Sequence, residues 1–310
     1  MKPVLQALVT GAQGFLGRHL VRHLKDSGTR VTALARRPPS EVPYIAMGEA
    51  PWCASRLARI IEITKPDVIF HLVGGAVGSR AQLEQLNVGV ANTIMQALRE
   101  VRMRPLLVCC GSAAEYGTSI IDGMPVRESA TCMPVGVYGT TKLAQTNAAL
   151  EFAKATATPV LIARIFNPIG PGMPPYLALG DFARQIALMR GSGGVLQTGD
   201  IDVCRDFIDV RHVVKALITL AQNPRARGVV NICTGQATDL RTLVEILINV
   251  STKKVTIETS SARLRVRELA VVIGSIARLA QLGAAPPPTN FEDVVASVWR
   301  DAELRWTSSS

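Results

Sequence analysis

The stretch from Val4 to Gly17 constrains this chain more than any other. An apolar run, Val4 to Val9, leads directly into Thr10-Gly11-Ala12-Gln13-Gly14-Phe15-Leu16-Gly17. A helical pattern follows, with Leu16, Leu20, Val21 and Leu24 on one side. Strand, glycine turn and helix in that order present bare backbone N–H groups and the positive end of a helix to a phosphate. Gly11 permits the tight turn, Gly14 the approach of a pyrophosphate, and Gly17 close packing of helix on strand. The spacing is Gly-x-x-Gly-x-x-Gly. Its place at the first strand favours dinucleotide binding over an ordinary glycine-rich turn.

Strand-like and helical runs alternate through about residue 165. The expected strands are Val4–Val9, Val31–Ala35, Asp67–Leu72, Leu106–Cys110 and Val160–Arg164. Between them the pattern predicts helices Arg18–Asp26, Ser55–Lys65, Leu83–Arg102 and Val137–Ala155. Such alternation implies an α/β fold, a Rossmann-type doubly wound parallel sheet covered on both faces. Pro and Gly cluster from Asn167 to Pro175, a natural crossing into a smaller C-terminal lobe. The second strand ends in Arg36-Arg37, where an acidic residue would hold the ribose 2′-OH of NAD. Arginine there suits the 2′-phosphate of NADP, so NADP(H) is the preferred cofactor, with NAD(H) the alternative.

Tyr138 stands four residues before Lys142 in a helical segment, so both side chains share one face. An ammonium beside a phenol favours the phenolate and is expected to lower the Tyr138 pKa. That would make Tyr138 a proton donor or acceptor near neutral pH. Ser112, closing a strand-like run, completes a constellation that could serve carbonyl chemistry.

Together these residues resemble the extended short-chain dehydrogenase/reductase family, in its epimerase/dehydratase branch acting on nucleotide sugars. Thr10 to Gly17 resembles the family's cofactor loop, Asp67 to Leu72 its fourth strand, and Asn87-Val88-Gly89 the start of the next helix. Gly111 to Gly117 resembles the segment with the catalytic serine, and Tyr138 and Lys142 occupy the catalytic pair. Arg164 to Gly172 and Arg205 to Val210 resemble two substrate-domain signatures. Within the family the chain is most similar to bacterial GDP-4-keto-6-deoxy-mannose reductases, notably at Gly111–Gly117, Asp181–Ala187 and Gly199–Phe207.

The resemblance implies that Ser112, Tyr138 and Lys142 are catalytic. It places Gly11, Gln13, Gly14, Phe15, Leu16, Gly17, Arg36, Leu72, Val73, Asn87, Tyr138 and Lys142 at the cofactor. Candidate substrate-binding residues are Ser112, Glu115, Asn167, Arg184 and Arg205, with Asn167 and Arg205 set to hold a diphosphate. The implied dinucleotide domain is 1–166 with 206–234 returning to it, and the substrate lobe is 167–205 with 235–310. Segments 83–102 and 137–155 would each expose an apolar stripe and pair with a second subunit as a homodimer. The implied reaction is NADPH-dependent reduction of a nucleotide-linked 4-keto-6-deoxy-hexose, GDP-linked by preference. The alternatives are a nucleotide-sugar 4-epimerase with tightly held NAD and a non-catalytic NADPH-sensing regulator. Dehydration is disfavoured because Ala113 and Ala114 follow Ser112, and methyl groups cannot move a proton. Glu115, in a strand-like segment, would point to the opposite face.

The net charge of +10 and isoelectric point near 9.7 raise the question of nucleic acid. The basic residues are scattered with no aromatic platform, so no nucleic-acid partner is expected. No run approaches the roughly 20 apolar residues of a membrane span. Met1-Lys2-Pro3 leads straight into a strand, so a cytoplasmic protein without a signal peptide is expected. The six cysteines form no Cys-x-x-Cys pair, and buried thiols are expected at Cys109 and Cys110 rather than zinc or disulfides. His19, His23, His71 and His212 lack metal spacing and read as structural. The Ser308–Ser310 tail is expected to be disordered.

Overall fold

Strands that are apolar on both faces need cover on both faces, and this requirement organises the molecule. The computed structural model describes residues 6–36, 44–263 and 269–307. Val4, Leu5, Arg37 and the Ser308–Ser310 tail, on which expectations were placed above, lie outside the described residues.

The main sheet contains β1 (Gln6–Thr10), β2 (Arg30–Ala35), β3 (Tyr44–Ala46), β4 (Val68–His71), β5 (Leu106–Ser112) and β6 (Val160–Ile165). Beyond them come β7 (Asn167–Ile169), β8 (Gly193–Thr198), β9 (Cys204–Arg205), β10 (Phe207–Asp209) and β11 (Gly228–Ile232). The last strands are β12 (Thr238–Asp239), β13 (Lys254–Thr259) and β14 (Val271–Val272). Seven strands form a parallel sheet in the order β11-β6-β5-β4-β1-β2-β3. The chain runs outward from β1 to β2 and β3, then returns to lay β4 on the other side of β1. A crevice therefore opens above the carboxyl ends of β1 and β4, where ligands of doubly wound sheets bind.

The helices are α1 (Phe15–Asp26), α2 (Ala54–Thr64), α3 (Arg80–Glu84), α4 (Val90–Glu100) and α5 (Gly136–Thr156). After the sheet's sixth strand come α6 (Ala178–Leu188), α7 (Val210–Gln222), α8 (Leu240–Ser251), α9 (Ala277–Gln281) and α10 (Phe291–Thr307). In α1, Gly17, Leu20, Val21 and Leu24 are buried, the i, i+3, i+4, i+7 stripe of an amphipathic helix. Its stripe joins Ala7, Val9 and Phe70 on one sheet face, together with Val213, Leu217 and Leu220 of α7. The opposite face packs Leu8, Ile69 and Leu107 against Leu57 and Ile61 of α2, Ile94 and Leu98 of α4 and Phe152 of α5. Truncating Phe70, which is fully buried, to alanine would cost about 3–5 kcal/mol. A third core joins α6, α8 and α10 through Phe182, Ile186, Leu243, Val298 and Trp299.

Two expectations are corrected. The single helix Leu83–Arg102 is α3, a π turn at Gln85–Gly89, and α4. The π turn accommodates Asn87, which is fully buried and bonded away from its own helix. Segments 83–102 and 137–155 also show no fully exposed large apolar side chain. Most of their apolar residues pack onto the sheet, and the half-buried Leu86, Leu143 and Leu150 are what remains of each stripe at the surface. No helix among the described residues is long and apolar enough to cross a membrane.

Candidate active site

At the end of β1, the glycine loop is shaped by steric necessity. A Cβ on Gly11, whose φ is +68°, would sit 2.8 Å from the backbone of Leu72 and Val73. Those two residues, both expected at the cofactor, thus line the loop from the end of β4. A Cβ on Gly17 would lie 2.1 Å from the Gly11 carbonyl, so helix and loop touch through bare backbone. Gly14 and Gln13 are exposed, with Phe15 and Leu16 half-buried beside them. Gly14 caps α1 without any side-chain hydrogen bond, and the first turn holds no acidic residue. An uncapped helix N-terminus behind an exposed glycine suits a pyrophosphate, and the loop fits a dinucleotide. Arg36 follows β2, exposed, and pairs with Glu49 at 3.3 Å. Exposed pairs of this kind are worth about 0–1 kcal/mol, so the guanidinium can turn to a phosphate at little cost.

Helix α5 buries an unusual face. Thr141, Lys142, Gln145 and Thr146 are all buried, where an ordinary sheet-packing helix would bury leucines. Tyr138 keeps some exposed surface, but its hydroxyl end is enclosed. Burial pushes the phenol above its ordinary pKa, while the hydroxyl of Ser112 beside it acts in the opposite direction. This corrects the expectation that Lys142 lowers the Tyr138 pKa. The Lys142 ammonium donates instead to Gln145 Oε1 at 2.7 Å, and burial lowers its own pKa. Desolvation of the phenol outweighs a cation turned toward another partner.

Ser112 closes β5 and stands in register with Ile165 of β6. Its Oγ accepts the Ala114 N–H at 3.2 Å. After it the chain enters a 3-10 turn, Ala113–Glu115, rather than continuing as a strand. Glu115 therefore folds back beneath Ser112 and is fully buried. Its Oε1 accepts the Ser112 N–H at 2.8 Å, and its Oε2 accepts from Thr146 Oγ1 at 2.9 Å and Arg164 Nε at 2.8 Å. With both oxygens committed, Glu115 is withdrawn from the substrate surface where the sequence placed it.

Asn87 is likewise withdrawn from the cofactor. Its Oδ1 accepts the Gly75 N–H at 2.8 Å. Its Nδ2 donates to Gly75 O at 3.0 Å and to Thr141 Oγ1 at 2.8 Å. Thr141 in turn donates to the Tyr138 carbonyl at 3.0 Å.

Of the substrate candidates, Asn167 begins β7, two residues beyond the register partner of Ser112, and binds Asp206 O through Nδ2 at 3.2 Å. Arg205 is adjacent in sequence to Asp206 and donates to the carbonyls of Cys204 and Leu269 at 2.8 and 2.9 Å. The two are brought together. Arg184 lies in a separate cluster, where Asp181 accepts from Arg184, Gln185 and Arg263.

Sequence reasoning missed Gln145, Thr146 and Tyr176. Polar residues one helical turn beyond Lys142 were a readable signal for the first two. Tyr176 is close enough to raise the Tyr138 phenol further. Nothing beyond its place in the Pro- and Gly-rich crossing marked it. The Cys109 and Cys110 thiols are buried and pushed up to about 12, in line with inert core thiols.

Comparison with known proteins agrees with this geometry. The model of the NAD dependent epimerase/dehydratase family matches residues 7–233. GDP-6-deoxy-D-mannose reductase of Pseudomonas aeruginosa is 29% identical, over 96% of this chain and 97% of its own. dTDP-6-deoxy-L-talose 4-dehydrogenase (NAD(P)(+)) of Kitasatospora kifunensis is also 29% identical, over 96% of this chain and 89% of its own. The structure of RMD from Pseudomonas aeruginosa complexed with NADPH superposes with a TM-score of 0.79 at 28% identity, covering 97% of this chain and 98% of that one. From its glycine loop, its Ser-Tyr-Lys constellation and the family match, this chain belongs to the NAD dependent epimerase/dehydratase family, the extended short-chain dehydrogenase/reductases, and is an NAD(P)-dependent enzyme.

Proposed function

We propose that this enzyme reduces the 4-keto group of a nucleotide-linked 4-keto-6-deoxy-hexose with NADPH. GDP-4-keto-6-deoxy-mannose is the favoured substrate, and GDP-rhamnose or GDP-6-deoxy-talose the product. The observation that carries the reading is the convergence of Ser112, at the end of β5, with Tyr138 and the buried Lys142 of α5, the Ser112 hydroxyl standing beside the phenol. NADPH, when bound, would supply the hydride for C4. As negative charge develops on the C4 oxygen, Ser112 donates a hydrogen bond to it and Tyr138 gives it a proton. Burial that keeps the phenol neutral suits a group that must begin as a donor. Lys142, buried on the same helix face, would as an ammonium stabilise the phenolate left behind and hold the nicotinamide ribose.

Arg36 at the end of β2 would bind the 2′-phosphate, and the Gly11–Gly17 loop the pyrophosphate. Arg36 favours a reductase exchanging NADPH over an epimerase that retains NAD. Dehydration lacks its acid and base: residues 113 and 114 are alanines, and both oxygens of Glu115 are bonded within the protein. The 29% identical reductase and dehydrogenase relatives, both named for 6-deoxy-hexoses, support the substrate class.

The same reading assigns residues 1–166 with 206–234 to the dinucleotide domain, and 167–205 with 235–310 to the substrate lobe. Asn167 and Arg205 would hold the diphosphate, with Arg184 further out in the lobe. Two subunits would pair through segments 83–102 and 137–155.

The test is NADPH oxidation with GDP-4-keto-6-deoxy-mannose, run beside Tyr138→Phe and beside NADH. Turnover with NADPH that falls by about 10²- to 10⁴-fold in the variant supports the reading. Absence of turnover in the unaltered enzyme, with NAD found bound to it, would replace the reductase by the epimerase.

A further inference from the structure

Glu115 makes three bonds to three separate segments of the chain. Its Oε1 takes the backbone N–H of Ser112. Its Oε2 takes Thr146 Oγ1, two turns beyond Tyr138 on α5, and Arg164 Nε on β6. Glu115 is 0% exposed and Arg164 5%, with the Arg164 guanidinium lying 4.6 Å above the Tyr116 ring. Tyr116 in turn donates to Asn231 Oδ1 at 2.6 Å, so the far side of the network is closed as well.

The main chain is built around this carboxylate. A Cβ on Gly111 would lie 2.5 Å from Glu115 Oε1, so residue 111 leaves the room that Glu115 fills. The 3-10 turn Ala113–Glu115 is what returns the carboxylate under the residue that starts it. Replacing a buried ion pair by apolar residues is often neutral or stabilising, so fold stability alone is a weak reason for this arrangement.

We infer that Glu115 is a positioning residue for the proposed reaction: by gripping the Ser112 backbone, α5 and β6 at one point, it sets the Ser112 hydroxyl against Tyr138. The inference rests on the reductase reading for its kinetic test, and on the protein alone for its spectroscopic one. The carboxylate is also within electrostatic reach of both helix residues, raising the phenol of Tyr138 and favouring the charged form of Lys142. It touches no reacting atom.

Glu115→Gln alone would strand the Arg164 charge, so the informative pair is E115Q/R164M and E115L/R164M. Both remove the two charges, but only E115Q/R164M keeps an oxygen for the Ser112 N–H. In the purified full-length protein with NADPH and GDP-4-keto-6-deoxy-mannose, E115L/R164M is expected to have a kcat on the order of 10- to 100-fold below E115Q/R164M, the scale of an ångström misplacement. KM for NADPH is expected to agree between the two, while E115L/R164M melts at a lower temperature because its Ser112 N–H has lost its acceptor. Thr146→Val, which leaves the ion pair intact, gives a smaller loss in kcat at unchanged KM for NADPH.

Titration of the Tyr138 phenol by near-ultraviolet absorbance, against a Tyr138→Phe background, needs no substrate. The phenol should titrate at higher pH in E115L/R164M than in E115Q/R164M, because a displaced Ser112 no longer lowers it. Equal kcat, or equal titration midpoints, in the two folded double variants overturns the inference. If the unaltered protein does not turn over the ketone, the substrate reading fails, and the titration still decides the place of Glu115.

Discussion

Lys142 and Gln145 face each other on one turn of α5, the ammonium donating to the amide oxygen at 2.7 Å with both residues buried. Burial lowers the Lys142 pKa, and a hydrogen bond accepted by the Gln145 oxygen favours the ammonium. Removing the acceptor with Gln145→Leu would lower that pKa further. The proposed chemistry needs Lys142 protonated, so activity would be lost at lower pH on the alkaline side. The kcat–pH profile of Gln145→Leu should show its alkaline limb displaced to lower pH, and an unmoved limb would separate Gln145 from Lys142.

His71 offers a prediction about stability. It is fully buried at the end of β4, with Nδ1 2.9 Å from Thr10 Oγ1 and Nε2 without a partner. Burial, reinforced by the charge of Lys142, brings its pKa down from 6.5 to about 3. The folded protein thus keeps His71 neutral while the unfolded chain takes up a proton below pH 6.5. Its contribution is whole above pH 6.5 and is lost as pH falls toward 3, by about 1.4 kcal/mol per pH unit. His71→Asn, which retains an acceptor for Thr10, should flatten the dependence of denaturation midpoint on pH in this window.

The glycines of the first loop should separate binding from folding. Gly14→Ala places its methyl 3.1 Å from Gly11 O, a contact the loop can absorb. It should leave the melting temperature nearly unchanged while weakening NADPH binding by fluorescence titration. Gly17→Ala drives its methyl to 2.1 Å from the same oxygen and should destabilise the protein by about 1–3 kcal/mol, as overpacking does.

Arg36 should govern the choice of coenzyme. Arg36→Asp removes the guanidinium and places a carboxylate where a 2′-phosphate would lie. KM for NADPH should rise about 10- to 100-fold, the worth of a charged hydrogen bond, while KM for NADH stays level or falls. Unchanged discrimination between the two would remove Arg36 from the cofactor site.

The parts of this fold that sequence revealed are those where one residue type meets one local demand. Val160 to Ile165 is buried throughout because a strand inside a parallel sheet is covered on both faces, and apart from Arg164 the run was apolar enough to read. Gly11 and Gly17 were legible because only glycine fits their contacts. The three-residue strand β3 was missed because it is too short for any period to emerge. The Tyr138–Lys142 pair was visible from helical spacing, but its electrostatics were not. Desolvation by distant elements determines the phenol, and no spacing rule carries that information. Glu115 was misplaced for a related reason: the turn at Ala113 breaks the strand period, and its partners Thr146 and Arg164 are 31 and 49 residues away.

Asn87 shows how such long-range bonds bear on catalysis. One amide joins the loop after β4 to helix α5, through Gly75 on one side and Thr141, then the Tyr138 carbonyl, on the other. In the proposed reaction the proton donor Tyr138 belongs to one of these parts, and Leu72 and Val73, which line the glycine loop, lead into the other. A side chain that meets neither reactant therefore acts as the gauge between the two parts, and their spacing is set before any ligand arrives.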